Sequence, residues 1–258
     1  MQVVEQFLAS KAGPALNGAD RIVLCEHFAA VIDGVSTQGA SVGRRAAELL
    51  CEVIQTFVPS LSASQAVASM TACLRAAQAS RRALAASVVL YSAERREIWS
   101  VGDGQFLCGG VFHSPVLAID RALGQLRAFV LEHALAEGTS VNALIANDVG
   151  RAAIEPFLAL QPAFANARGV SAFAYGVING DDVPERFVHV HVVPREVNEI
   201  VLASDGYPAL KPTLDASERA LADLLECDPL RMHDSPGTKG VQRGARSYDD
   251  RAYLRIRL

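Results

Sequence analysis

The sequence predicts an α+β protein: a four-layer α-β-β-α sandwich of two antiparallel sheets with outer helices and a helical insert. Three observations predict it. Strand-like apolar runs come in pairs and meanders joined by short polar turns. Long helical stretches lie between these groups instead of alternating with single strands, which argues against βαβ units. At 258 residues, half of them apolar, the chain can fill a substantial core. No internal repeat or low-complexity linker divides it, so the expectation is one domain over 1–258 with an insert between Pro115 and Arg168.

The elements follow in order. Arg21 to Cys25 and Phe28 to Ile32 form an antiparallel pair meeting at Glu26-His27, and Asp33-Gly34 ends the second strand. From Gly39 to Val58, the residues Val42, Ala46, Leu49, Leu50, Val53, Ile54 and Phe57 recur at helical spacing, and Pro59 stops the helix. A second helix starts at a capping box of Ser62 and Gln65 and runs toward Leu84. Ala86 to Tyr91, Glu97 to Val101 and Gln105 to Cys108 then read as a meander, with Gly102-Asp103-Gly104 as its second turn. Helical stretches Ile119 to Ala136 and Val141 to Leu160, broken by Gly138 and Pro156, make the insert. Strand signals return at Ser171 to Ile178, Phe187 to Val192 and Glu199 to Leu202. Leu214 to Glu226 is a helix with Asp215 as its N-cap, and Ala252 to Leu258 closes as a strand.

A formal charge of -4 supplies no basic field for a phosphate backbone, which argues against a nucleic-acid role. Cys25, Cys51, Cys73, Cys108 and Cys227 are odd in number and widely spaced, so they read as buried, reduced thiols. Met1 to Ala12 lacks the pattern of a secretory signal and no apolar run reaches membrane-spanning length, so no membrane role is expected and the reading is a cytoplasmic protein.

The chemistry rests on four acidic motifs: Ile32-Asp33-Gly34-Val35, Val101-Gly102-Asp103-Gly104, Ala203-Ser204-Asp205-Gly206 and Ser247-Tyr248-Asp249-Asp250. A single Asp-Gly is an ordinary turn. Aspartates that end apolar strands can instead turn into a shared cleft and hold a metal. His189 and His191 alternate on a strand, lack a third ligand and read as a surface pair, while His27, His113, His133 and His233 stand alone. Ser36, Ser87 and Ser204 lack the Gly-x-Ser-x-Gly elbow of a serine hydrolase. Asn147 to Arg151 reads as a helix boundary, with a substrate-touching flap edge as the alternative. Thr238-Lys239-Gly240 to Arg246 is a basic loop that is either solvated or a phosphate donor.

Taken together, the motifs resemble those of the PPM-type, metal-dependent Ser/Thr protein phosphatases, also called protein phosphatase type 2C. Phe28 to Gly34 resembles the family's apolar strand ending in Asp-Gly, and Ile98 to Gln105 resembles its Gly-Asp-Ser-Arg turn. Ile200 to Gly206 is similar to its Leu-x-Ser-Asp-Gly motif, and Ser247 to Ala252 to its terminal Asp-Asn segment. The resemblance implies a hydrolase using two Mn²⁺ or Mg²⁺ ions, with a weaker third. Asp33 would bridge the pair, the Gly34 carbonyl would assist the second ion, and Asp205 and Asp249 would complete the first. Asp103 would hold the third ion beside Asp205. Asp20, standing before the first strand, is a further ligand candidate or a loop aspartate. The implied reaction is direct attack of metal-activated water on a phosphomonoester, without a phosphoenzyme.

The resemblance implies a phosphoserine or phosphothreonine protein as substrate. A small phosphorylated metabolite, or a non-catalytic relative that binds phosphorylated partners, is the alternative. This sequence also departs from the family. The glutamate usual before the first strand is missing, and Leu16 stands where bacterial members often place a phosphate-clamping arginine. Lys11, Arg243 and Arg246 are the candidate substitutes, and lysine would give a point charge in place of a bidentate fork.

Overall fold

The computed structural model describes residues 1–14, 17–35, 40–78 and 84–258. Leu16, Ser36 and the expected helix start at Gly39 lie outside the described residues, as does the stretch 79–83 of the second expected helix.

Ten strands and six α-helices make up the described fold. The strands are β1 (Gln2–Ala9), β2 (Arg21–Leu24), β3 (Phe28–Gly34), β4 (Ala86–Ser92), β5 (Glu97–Val101), β6 (Gln105–Cys108), β7 (Val111–His113), β8 (His189–Val192), β9 (Glu199–Ala203) and β10 (Arg251–Arg257). The helices are α1 (Ala40–Ile54), α2 (Ala63–Ala77), α3 (Ala118–Ala136), α4 (Val141–Ala146), α5 (Val149–Leu158) and α6 (Leu214–Cys227). One five-stranded sheet has the order β1-β10-β9-β6-β7 and the other β2-β3-β4-β5-β8. All pairings within both are antiparallel.

The two-residue period of a strand assigns the layers. In β3, Phe28, Ala30 and Ile32 pack with Ala46, Leu50 and Ile54 of α1 and with Ala66, Met70 and Leu74 of α2. Ala29 and Val31 point the other way, into a second core shared with Ile200 and Leu202 of β9 and Ala252, Leu254 and Ile256 of β10. The outer face of that second sheet, Val201, Ala203 and Tyr253, packs with Tyr207, Leu210 and Leu214, where α6 begins. The order is therefore helices, sheet, sheet, helix, as the sequence predicted. Each fully buried Leu or Ile contributes roughly 1.5–3 kcal/mol, so the intersheet core is a main source of stability.

Several elements differ from expectation. The Gly102-Asp103-Gly104 turn does not close a meander: β5 pairs with β4 and β8, whereas β6 pairs with β7 and β9. The chain crosses between sheets there, and Gly102 makes the crossing at φ +94°, where a Cβ would come within 2.2 Å of Ser87 Oγ. Ser171 to Ile178 forms no strand, only isolated bridges such as Ala86 to Ile178. The expected strand from Phe187 starts as a 3₁₀ turn over Glu185–Phe187 and becomes β8 only at His189. Val141 to Leu160 splits at Asn147-Asp148, and Pro156 is accommodated inside α5. Thr213, not Asp215, caps α6, accepting from the Ala216 N–H, while Asp215 pairs with Arg219. The Ser62–Gln65 capping box of α2 is present. All five thiols are free, but Cys227 is exposed and only Cys108 is buried.

Candidate metal centre

Strand parity directs the acids. Asp33 follows Ala29 and Val31 on the intersheet face of β3, at the end where the strand leaves the sheet. Ser204 continues the inward series Ile200 and Leu202 just past β9, and Asp205 comes next. Asp249 and Asp250 immediately precede β10, the neighbour of β9. The structure thus gathers Asp20, Asp33, Asp205 and Asp249 at one end of the sandwich, close enough that their charges act on one another.

Asp33, at the end of β3, and Asp205, just past β9, come from opposite sheets and lie close enough that the charge of Asp205 acts on Asp33. Burial holds Asp33 well above the usual carboxylate range, with the charges of Asp20 and Asp205 adding to the shift. Burial likewise pushes Asp205 up to about 7, reinforced by Asp249 and Asp103. Asp205 Oδ1 is buried and has no hydrogen-bond partner among the described residues. Asp20, only 1% exposed, accepts from Ser204 Oγ at 2.6 Å, and Ser204 Oγ accepts in turn from the Ala252 N–H. Burial raises Asp20 too, against the lowering effect of the Ser204 hydrogen bond.

Asp103 sits in the turn between the sheets, its N–H donating to Ser87 Oγ. Burial raises its pKa, and among neighbouring charges the largest contribution is that of Asp120, in the first turn of α3. Burial and the charge of Asp205 push Asp120 itself up to about 6. Asp120 carries no distinguishing signal in the sequence, since an acid in a first helical turn is ordinary dipole chemistry. The Gly34 carbonyl lies against α1, where a Cβ on Gly43 would approach its oxygen to 2.5 Å.

Asp249 has cationic company. Lys239 Nζ pairs with its Oδ2, and Lys11 Nζ lies 3.7 Å from its Oδ1, which also accepts from the Asp250 N–H. Burial alone would lower the Lys239 pKa, but the charges of Asp249, Asp205 and Asp33 outweigh it and raise the pKa above the usual lysine value. Asp250 is buried and acts as a tether: Oδ1 accepts from the Lys11 N–H and Ser10 Oγ, and Oδ2 from the Ala19 N–H. Burial pushes Asp250 up, but the Lys11 and Ala19 N–H groups, the Lys11 charge and the Ser10 hydroxyl together outweigh it and the net value is lowered. Arg243 and Arg246 are exposed.

Among the described residues, no three His, Cys, Asp or Glu side chains converge closely enough to hold a metal ion. The donor chemistry nonetheless fits a hard divalent cation at one place, the Asp33–Asp205 pair, where like charges crowd and one buried oxygen is unsatisfied. His113 does not stand alone: its ring stacks on Phe106 at 4.3 Å and lies 4.8 Å from the ring of His191. A broad cleft of about 750 Å³ lined by Arg75, Gln78, Asn166, Arg168 and Asp182 shares no residue with the acidic site.

Asn147 to Arg151 is a helix boundary. Asp148 caps α5 through the Arg151 N–H, and its other oxygen accepts from Arg127.

No protein-family model matches the chain, and no curated protein matches it in sequence. Solved structures do match its fold. The serine/threonine phosphatase Stp1 from Staphylococcus aureus aligns at TM-score 0.53 with 10% identity, over 100% of this chain and 96% of that one. The Mycobacterium tuberculosis serine/threonine phosphatase PstP/Ppp aligns at 0.50 with 12% identity, over 98% and 97%. A bacterial serine phosphatase aligns at 0.50 with 10% identity, over 98% and 96%. At such identities the likeness is one of fold, and the chain has the fold of the PPM-type serine/threonine phosphatases.

Proposed function

We propose that this protein is a metal-dependent phosphomonoester hydrolase acting on phosphoserine or phosphothreonine in proteins. The observation that carries the reading is the cross-sheet pair Asp33–Asp205, two crowded carboxylates with an unsatisfied oxygen at the rim of a sandwich of phosphatase fold. Asp33 and Asp205 would hold Mn²⁺ or Mg²⁺, with the Gly34 carbonyl and Asp103 as the further ligands implied by the motifs. When bound, such an ion supplies positive charge to the phosphoryl oxygens and lowers the pKa of a coordinated water.

The chain's own residues set the stage for that chemistry. Ser204 fixes Asp20 and the backbone of β10 together, so the acid-bearing ends of the two sheets keep their spacing. Tyr248 donates its hydroxyl to the Asp205 carbonyl at 3.1 Å, and the Arg231 guanidinium lies 3.8 Å over the Tyr248 ring, which fixes the turn that presents Asp205. Lys11 and Lys239 place positive charge at the rim, where a phosphate dianion would approach. We further propose that residues 1–258 act as one domain, with α3 to α5 as its insert.

The pairing of Asp249 with Lys239 favours a second reading, a phosphate-recognising module without turnover. Phosphate release from a phosphothreonine peptide and from a panel of phosphorylated metabolites, with and without chelator, separates these readings. Metal-dependent release from the peptide, lost in Asp205→Asn, supports the hydrolase. Release from metabolites alone points to a small-molecule phosphatase, and peptide binding without release to the module.

A further inference from the structure

Only three of the 24 Lys and Arg residues are lysines, namely Lys11, Lys211 and Lys239. Two of these three meet on one carboxylate: Lys239 Nζ on Asp249 Oδ2 and Lys11 Nζ near Oδ1. A chain that elsewhere pairs its acids with arginine forks uses compact ammonium charges here.

The segment that carries Lys239 is held in place. Arg127, whose side chain is fully buried, donates to the carbonyls of Leu230 and Gly237 at 2.7 and 3.0 Å. Arg151 donates to the Thr238 carbonyl at 2.9 Å, directly before Lys239. Gly240, directly after, packs so close to Leu230 O and Arg127 that a Cβ would meet both below 3 Å. A lysine on a solvated loop would sample many rotamers, whereas this one is delivered to Asp249 by the helical insert.

Given the metal-centre reading above, on which this inference rests, we propose that Lys239 is a resident cation of the acidic site. Its ammonium takes Asp249 as partner and withdraws that carboxylate from metal coordination, leaving Asp33 and Asp205 open to a single divalent ion.

The test is Mn²⁺ binding to the full chain by titration calorimetry, in wild type, Lys239→Met and Lys239→Arg. Lys239→Met keeps most of the apolar stem and removes the charge. It is expected to take up one more Mn²⁺ per chain than wild type, while Lys239→Arg keeps the wild-type count. Equal counts and affinities in wild type and Lys239→Met overturn the inference and leave the hydrolase reading standing. Binding by Lys239→Met alone upholds the inference and removes the hydrolase reading for the native chain, and no binding by any form overturns both. Amine acylation of the wild type read by mass spectrometry tests the same point should Lys239→Met fail to fold. Lys239 is expected to stay protected relative to exposed Lys211 when saturating Mn²⁺ is added, and Mn²⁺-induced labelling at Lys239 overturns the proposal.

Discussion

The Arg127 guanidinium makes two hydrogen bonds to a single oxygen of Asp148, at 2.9 and 2.6 Å, from a side chain with no solvent exposure. Its remaining nitrogen holds the backbone of the segment that leads to Lys239. One ion pair therefore joins α3, the cap of α5 and the rim of the acidic site. Arg127→Ala leaves Asp148 without its partner and the Leu230 and Gly237 carbonyls undersatisfied. The expected loss is about 3–5 kcal/mol, read by urea unfolding. A loss below 1 kcal/mol would contradict the tether.

Gly34 and Gly43 touch backbone to backbone, which brings the first turns of α1 against the end of β3. A Cβ at Gly43 would sit 2.5 Å from the Gly34 oxygen, and one at Gly34 would sit 2.1 Å from the Gly43 oxygen. Neither contact can be relieved by a side-chain rotation. Gly43→Ala is expected to destabilise by about 1–3 kcal/mol in thermal unfolding and to weaken Mn²⁺ binding at Asp33. Unchanged stability would show that the two backbones can separate.

Asp120 gives a pH signature. Burial, then the charge of Asp205, push its carboxyl from 3.8 up to about 6, against the opposing effects of Gln161, Lys239 and Arg151. The folded chain therefore holds this proton more tightly than the unfolded chain, and stability falls as pH rises from about 4 to about 6 through this group. Above that range its full cost is present. Asp120→Asn should stabilise metal-free protein at pH 8 by on the order of 1–3 kcal/mol and have no effect at pH 3.5, as measured by denaturant midpoints. The opposite sign at pH 8 would rule out the crowding.

Much of this architecture was legible in the sequence because local pattern and tertiary role agree. The run Phe28 to Ile32 alternates between two buried faces, and Asp33 ends it. Ile200 to Ala203 does the same for Asp205. What was missed depends on partners distant in sequence. β1 carries no strong signal of its own and forms by pairing Gln2–Ala9 with β10 at the far end of the chain. The Gly102-Asp103-Gly104 turn reads locally as a hairpin, yet its strands find partners in different sheets. A fully buried arginine such as Arg127 interrupts no helical pattern, and the pairing of Lys239 with Asp249 is a tertiary contact that loop composition does not encode. The expected strand from Ser171 failed because Ala174 and Gly176 give little side-chain surface to a ladder and Asn166 instead fixes the segment through Val177.

The proposed function makes Asp33 and Asp205 a working metal centre across the two sheets. Its most direct test is steady-state hydrolysis of para-nitrophenyl phosphate by wild type and Asp33→Asn, with Mn²⁺ and with chelator, on protein shown to be folded by circular dichroism. Mn²⁺-dependent turnover abolished by chelator and reduced at least 100-fold in Asp33→Asn is the predicted result, a barrier increase of about 2.7 kcal/mol or more. Equal turnover in both proteins, or turnover indifferent to chelator, would contradict it.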